Sequence, residues 1–313
     1  MTEMSNPEPK NPPPSAIPRG FCDIEAVLPA LLTADLETAS AARTYAVKTT
    51  MAPLPAELLT WLAAWQGKFP PQLHHPRVIL FAADHGVAVA GGSDTAMRVE
   101  QIVKGEAPVC KLAEELDADL RLYDLGVAKP TADMMTASAM SESECVSAII
   151  YGMMAVEMGL DAIALSGMGQ GSHFAAAVLA KILGHVALAD TLAENQLAVE
   201  AALALHGVAV DKPLELLSRV GGREMAAMLG VMIAARMART PVIIEGVNGL
   251  MTAALLHRLD KRAVQHCLYV GPSEKPVMQV IAGLGMMHVA PDAPGDTGVT
   301  SASLIPLLRV VVG

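Results

Sequence analysis

The spacing of apolar positions changes character along the chain. From Ile24 to about Ala42 apolar residues recur at helical intervals, and Glu57–Gln66 resumes that spacing after a turn at Pro53 and Pro55. At Val78–Ala83 the period collapses into a short, wholly apolar run ending in Asp84-His85-Gly86, which predicts a parallel strand buried on both faces. The same unit returns at Leu120–Leu125, Ala162–Leu165, Val242–Ile244 and Leu268–Val270. Helical periodicity separates most of these runs, at Val99–Leu116, Glu142–Met158, Phe174–Leu183 and Met225–Ala238. Strands alternating with helices predict an α/β fold: a Rossmann-like, doubly wound parallel sheet with helices on both faces and right-handed crossovers. The N-terminal helices and the stretch after Gly285 fall outside the alternation and are expected to pack together as a small helical domain. The expected organisation is a flexible proline-rich arm (1–20), N-terminal helices of the small domain (21–75), the α/β core (76–285) and a C-terminal segment returning to the small domain (286–313). The arm carries six prolines within residues 5–19, which prevents helix propagation there.

Composition narrows the partners. With 22 basic and 32 acidic residues the net charge is −10, which argues against a duplex nucleic-acid binder, since such a protein needs a basic face. Local backbone N–H groups can still hold an anion. Hydrophobic residues make up 52% of the chain, so a membrane span has to be tested. The apolar runs at 146–156 and 225–235 end at Glu157 and Arg236, well short of the roughly 20 apolar residues a bilayer requires. Cys22, Cys110, Cys145 and Cys267 lie far apart, with the spacing of neither a zinc site nor a disulfide framework. The polar, proline-rich start does not resemble a signal peptide, and a cytoplasmic setting is expected. No metal and no cofactor is expected.

In a sheet of this kind ligands bind beyond the carboxyl ends of the strands. Three strand ends carry chemistry: Asp84-His85-Gly86, Ser166-Gly167-Met168-Gly169-Gln170-Gly171-Ser172, and Glu245-Gly246-Val247-Asn248-Gly249. Gly167, Gly169 and Gly171, with Gln170 between them and Ser172 opening a helix, would let backbone N–H groups turn toward an anion. The competing reading is a tight strand-to-helix turn without a ligand. Neither a Walker loop nor a full G-x-G-x-x-G is present, because no Gly-Lys follows and Ser172 stands where the last glycine would be. Asp84 and His85 suit an acid/base or ligand-orienting pair, against the commoner use of Asp as a turn or helix cap. Glu245 closes an otherwise apolar strand, where a carboxylate is costly to bury without a partner. The remaining histidines show no metal-ligand spacing.

The runs VILFAADHGVAV, PVCKLAEELDADLRLYDLGV and LLSRVGGREMAAMLGVMIAARMARTPVIIEGV resemble the nicotinate-nucleotide–dimethylbenzimidazole phosphoribosyltransferases, over most of the chain from about Lys48 onward. That resemblance implies a Rossmann-like domain with a small helical domain from both chain ends, a homodimer, and two small-molecule partners, a nucleotide and an aromatic base. It implies a reaction in cobalamin lower-ligand synthesis: a carboxylate takes the base's ring N–H proton, and the freed nitrogen attacks the ribose of nicotinate mononucleotide. Asp84, Glu245 and Gly246 match family blocks, and Gly221-Gly222 matches the turn before a core helix. Five features depart from the family. Arg309 stands at the position assigned to the family's base-binding glutamate, and an arginine cannot act as a base. Ser166 to His173 keeps glycines but lacks the family's Glu, Asn and Thr. Gln196 aligns with a phosphate-side lysine, and the segments at Met51–Pro55 and after Gly92 also differ. The catalytic group is therefore open, with Glu245 and Asp84 as candidates. Two activities are compatible with these residues: phosphoribosyl transfer, and a non-catalytic or altered-specificity paralogue in which Arg309 pairs a carboxylate or phosphate.

Overall fold

The computed structural model describes residues 18–87, 94–291 and 297–313. The prolines of the arm before residue 18 and the segment immediately around Gly92 lie outside them. Among the described residues six strands form one all-parallel sheet: β1 (Pro76–Ala82), β2 (Asp119–Asp124), β3 (Ala162–Met168), β4 (Val242–Glu245), β5 (Cys267–Val270) and β6 (Met287–Val289). Their order across the sheet is β2-β1-β3-β4-β5-β6. The chain leaves β1 for β2 on one side and returns to β3 on the other, so the crevice beyond β1 and β3 is the topological switch point where such sheets bind ligands.

Side chains of each strand alternate between two apolar clusters, one per face. Ile79, Phe81, Ile163, Leu165, Ile244 and Tyr269 face a cluster built with the helices Glu142–Met154, Ser172–Ile182, Arg223–Met237 and Gly246–Leu259. Val78, Leu80, Ala164, Ile243 and Leu268 face the other, built with the helices Leu36–Lys48, Pro53–Gln66, Pro108–Glu115 and Leu304–Val312. Helices from both chain ends thus meet each other on the second face of the sheet.

Several element boundaries differ from the expected ones, for local reasons. The single helix expected over Ile24–Ala42 is three pieces, Phe21–Glu25, a 3₁₀ turn at Leu28–Ala30 carrying Pro29, and Leu36–Lys48, whose start is capped by Asp35 accepting from the Thr38 N–H at 3.0 Å. The helix expected over Val99–Leu116 breaks into Thr95–Val103 and Pro108–Glu115, because Gly105 takes φ +76° and Pro108 opens the second piece. The alternation continues beyond Gly285, since β6 pairs with β5. It is three residues long and contains His288, so it lacks the apolar run that marked the other strands. Among the described residues, no helix is long and apolar enough to cross a membrane.

Candidate functional site

At the carboxyl edge of the sheet the ends of β3, β4, β5 and β6 surround a cavity of about 760 Å³. Gly167, Gly169, Ser172, Glu245 and Gly246, all singled out from the sequence, line it. Asp84, His85, Gln170, Gly171, Gly221, Gly222 and Arg309 are not among its lining residues.

The β1 and β3 ends are laced together. Ala83 N–H donates to the Met168 carbonyl at 3.0 Å and His85 N–H to the Gln170 carbonyl at 2.9 Å. The Gln170 N–H donates to Asp84 Oδ1 at 2.8 Å and lies 3.2 Å from Thr95 Oγ1. Asp84 therefore braces the glycine loop, and this loop amide is spent internally. So is that of Ser172, which donates to the Gly169 carbonyl at 3.2 Å. The anion cradle expected from the loop loses those two donors to the turn itself. Gly169 is required for close approach: a Cβ there would stand 1.7 Å from the Ala83 carbonyl oxygen.

His85 turns inward to a fully buried carboxylate absent from the sequence-derived candidates, that of Glu224. His85 Nε2 lies 2.8 Å from Glu224 Oε1, and the Ser172 hydroxyl donates to the same oxygen at 2.9 Å. Gly222 and Gly171 make room for this cluster. A Cβ at Gly222 would lie 2.1 Å from Glu224 Oε2, and one at Gly171 (φ +85°) 2.8 Å from His85 Cβ. The expected His85–Asp84 partnership gives way to His85–Glu224–Ser172, which ties β1, the glycine loop and the helix Arg223–Met237 together. Neighbours in the chain point apart at a strand end, so adjacency of Asp84 and His85 did not make them a pair.

Glu245 reaches the cavity. Oε1 accepts from the Gly298 N–H and Oε2 from the Ser301 N–H, each at 2.5 Å, so the carboxylate also anchors the C-terminal segment. Burial raises its pKa, opposed by the Ser166 hydroxyl and by the two amides. Asn248 donates from Nδ2 to the Gly167 carbonyl at 2.9 Å and lines the same wall. A Cβ at Gly167 would meet Met228 Sδ at 2.7 Å, Asn248 Nδ2 at 3.1 Å and Glu224 Cγ at 3.2 Å. The space beside Gly167 is therefore taken by other side chains.

Arg309 does not reach this cavity. The helix Leu304–Val312 buries Leu304, Ile305, Leu308 and Val311, which turns Arg309 toward the end of the helix Pro108–Glu115. There its Nη2 donates to the Leu116 carbonyl, a cation closing a helix C-terminus. Sequence reasoning also missed lining residues away from the three strand ends: Thr95 and Arg98 on the helix after β1, Tyr269 inside β5, Glu274 after it, and Thr297 and Thr300. Apart from Tyr269, polar residues of loops and helix starts carry no periodic signal. Tyr269 was hidden within an apolar strand run. Among the described residues no cluster of His, Cys, Asp and Glu has metal-binding geometry.

A family model described as a phosphoribosyltransferase matches residues 53–291. The nicotinate-nucleotide–dimethylbenzimidazole phosphoribosyltransferases of Brucella anthropi and Rhizobium etli are each 36% identical over 236 residues, spanning 70% of this chain and 70% of the relative. That of Sinorhizobium fredii is 37% identical over the same length. The crystal structure of CobT from Thermus thermophilus superposes with a TM-score of 0.71 at 24% identity, over 82% of this chain and 88% of that one. Its likeness is one of fold.

Proposed function

Because the chain belongs to the nicotinate-nucleotide–dimethylbenzimidazole phosphoribosyltransferase family, we propose that it transfers phosphoribose from nicotinate mononucleotide to dimethylbenzimidazole or a related base, in cobalamin lower-ligand synthesis. The observation that carries the reading is the 760 Å³ cavity at the strand ends, which places a buried carboxylate, Glu245, against space for two small molecules. In the reaction the C1′–N bond to nicotinate breaks and its electron pair leaves with the pyridine ring. A ring nitrogen of the acceptor bonds to C1′, and the acceptor's N–H proton goes to a base.

Of the two candidate carboxylates, Glu245 lines the cavity whereas Asp84 is engaged beneath the glycine loop. A carboxylate offers about four acceptor sites, so the Gly298 and Ser301 amides and the Ser166 hydroxyl leave capacity for a ligand N–H. Burial raises its affinity for a proton, as a base requires. Gly167, Gly169, Ser172, Gly246 and Asn248 form the wall against which nucleotide and base would be oriented.

The test is direct. The protein is incubated with nicotinate mononucleotide and dimethylbenzimidazole, and free nicotinate and the riboside phosphate are followed by chromatography. Equimolar appearance of both supports the reading; binding without either product defeats it. The same reading carries a homodimer, supported by Leu36 and Val47, exposed at 76% and 77% on the first long helix. Light scattering giving a monomer mass would remove that part. It also carries a cytoplasmic location, checked by cell fractionation.

A further inference from the structure

We propose that Tyr269 selects the acceptor in this cavity, its phenol hydroxyl donating a hydrogen bond to the bare ring nitrogen of an azole whose N–H faces Glu245. This rests on the transferase reading above and names the residue that would fix the base's orientation.

Tyr269 lies in β5 and is 1% exposed, yet it lines the cavity. Among the described residues its hydroxyl has no hydrogen-bond partner, nor is it one of the buried polar atoms sealed away from solvent. A tyrosine this buried ordinarily satisfies its O–H within the protein, and phenylalanine would fill the same volume without that demand. The hydroxyl is therefore a donor held ready at the cavity wall.

The surroundings fix its aim. A Cβ at Gly271 would stand 2.6 Å from the Tyr269 hydroxyl oxygen, so a glycine at the β5 exit leaves the phenol tip its place. The ring lies near-parallel to His288 on β6, with centroids 6.1 Å apart and planes at 22°. His288 Nε2 is 2.8 Å from the Gly271 carbonyl; since a carbonyl only accepts, this nitrogen carries the proton and pins the Gly271 turn. Burial first, then the nearby Glu245 and Glu274 carboxylates, push the phenol's pKa upward, so it stays a donor across the neutral range.

Those same carboxylates disfavour an anionic group at the hydroxyl and favour a neutral acceptor. Glu245 and Val270 are register partners across β4 and β5, so the carboxylate and the phenol belong to adjacent strand ends. A base with one N–H and one bare ring nitrogen answers both: the N–H meets Glu245 and the bare nitrogen meets Tyr269. As the N–H proton passes to Glu245, the bare nitrogen exchanges its Tyr269 hydrogen bond for the new bond to C1′, so the phenol fixes the base's orientation before attack. A site built on such a hydrogen bond rejects analogues that lack the acceptor.

The experiment is titration calorimetry of wild type and Tyr269→Phe with two probes, dimethylbenzimidazole and dimethylindole, which keeps the N–H and lacks the second ring nitrogen. The expected result is an approximately tenfold weaker Kd for dimethylbenzimidazole in the variant, no change for dimethylindole, and a KM for the base that rises more than kcat falls. The melting temperature should hold or rise, because no protein hydrogen bond is removed. Equal dimethylbenzimidazole affinity in both proteins overturns the Tyr269 assignment alone. Equal weakening of both probes, or a variant that does not fold, shows a merely structural tyrosine and also overturns it. A wild type that binds neither probe defeats the transferase reading and the assignment together.

Discussion

The proposed role of Glu245 as base and its hold on the C-terminal segment pull on one carboxylate. Its oxygens hold the Gly298 and Ser301 amides, which favours the ionised form, while burial favours the protonated one and prevails. A base must be ionised to act, so kcat/KM for transfer should fall as pH is lowered through a value above the ordinary carboxylate 4.5. Replacement of Glu245 by Gln should lower nicotinate release roughly 10²–10⁴-fold and abolish that limb of the profile. Rates unchanged in Glu245→Gln would remove Glu245 as the base. This residue was legible in the sequence because a carboxylate ending the apolar run Val242–Ile244 is physically conspicuous. Glu224 was not legible. It sits in the first turn of an unbroken helix, and only the folded chain reveals that His85 and Ser172 converge on it at 2.8 and 2.9 Å. Arg309 shows the opposite failure, for its position in the chain suggested a site that its helix face does not reach.

At the scale of elements, the helices Glu142–Met154 and Arg223–Met237 approach closely enough for their backbones to touch. A Cβ at Gly152 would stand 1.8 Å from the Ala227 carbonyl oxygen, and one at Gly230 1.9 Å from that of Ile149. The two glycines are reciprocal, each accommodating the other helix. Gly→Ala inside an exposed helix normally stabilises by about 0.8–1 kcal/mol. Here the sign should invert: Gly152→Ala or Gly230→Ala should destabilise by roughly 1–3 kcal/mol, since the helices must separate or shift. Urea denaturation of the two variants measures this, and a gain in stability would refute the close packing. Both helices were predicted within a few residues, because their apolar spacing is long and regular. Their mutual contact was not, since small residues in a helix announce only that something can come near. The same limit hid β6, three residues long, and joined two helices across Gly105.

Across the whole molecule the sheet places two buried titrating groups at opposite ends. The alternating pattern of strands and helices made the parallel sheet legible, but strand order and what lies at each edge depend on contacts distant in sequence. Glu245 lies at the carboxyl edge. His266 lies at the amino edge, just before β5, fully buried, with the Trp65 ring 5.8 Å away. Arg236 stands 4.6 Å above that same Trp65 ring. Burial, reinforced by the Arg236 charge, pulls the His266 pKa down to about 3 from the ordinary 6.5. The two groups couple folding to pH with opposite signs. Glu245, raised in the fold, contributes stability that is complete below 4.5 and lost as pH rises through its folded value. His266, depressed in the fold, binds its proton more readily when unfolded, so stability falls as pH drops below 6.5 and goes on falling until about 3. One unit below the ordinary histidine value the loss from His266 alone is roughly 1.4 kcal/mol. Unfolding free energies of wild type and His266→Gln, measured by denaturant at pH 7.5 and at pH 5.5, isolate this term because the other titrating groups are common to both. Wild type should lose about 1.4 kcal/mol more than the variant across that interval. Parallel losses in the two proteins would mean that His266 takes up its proton inside the fold, beside Arg236, and that the amino edge of the sheet is open to water.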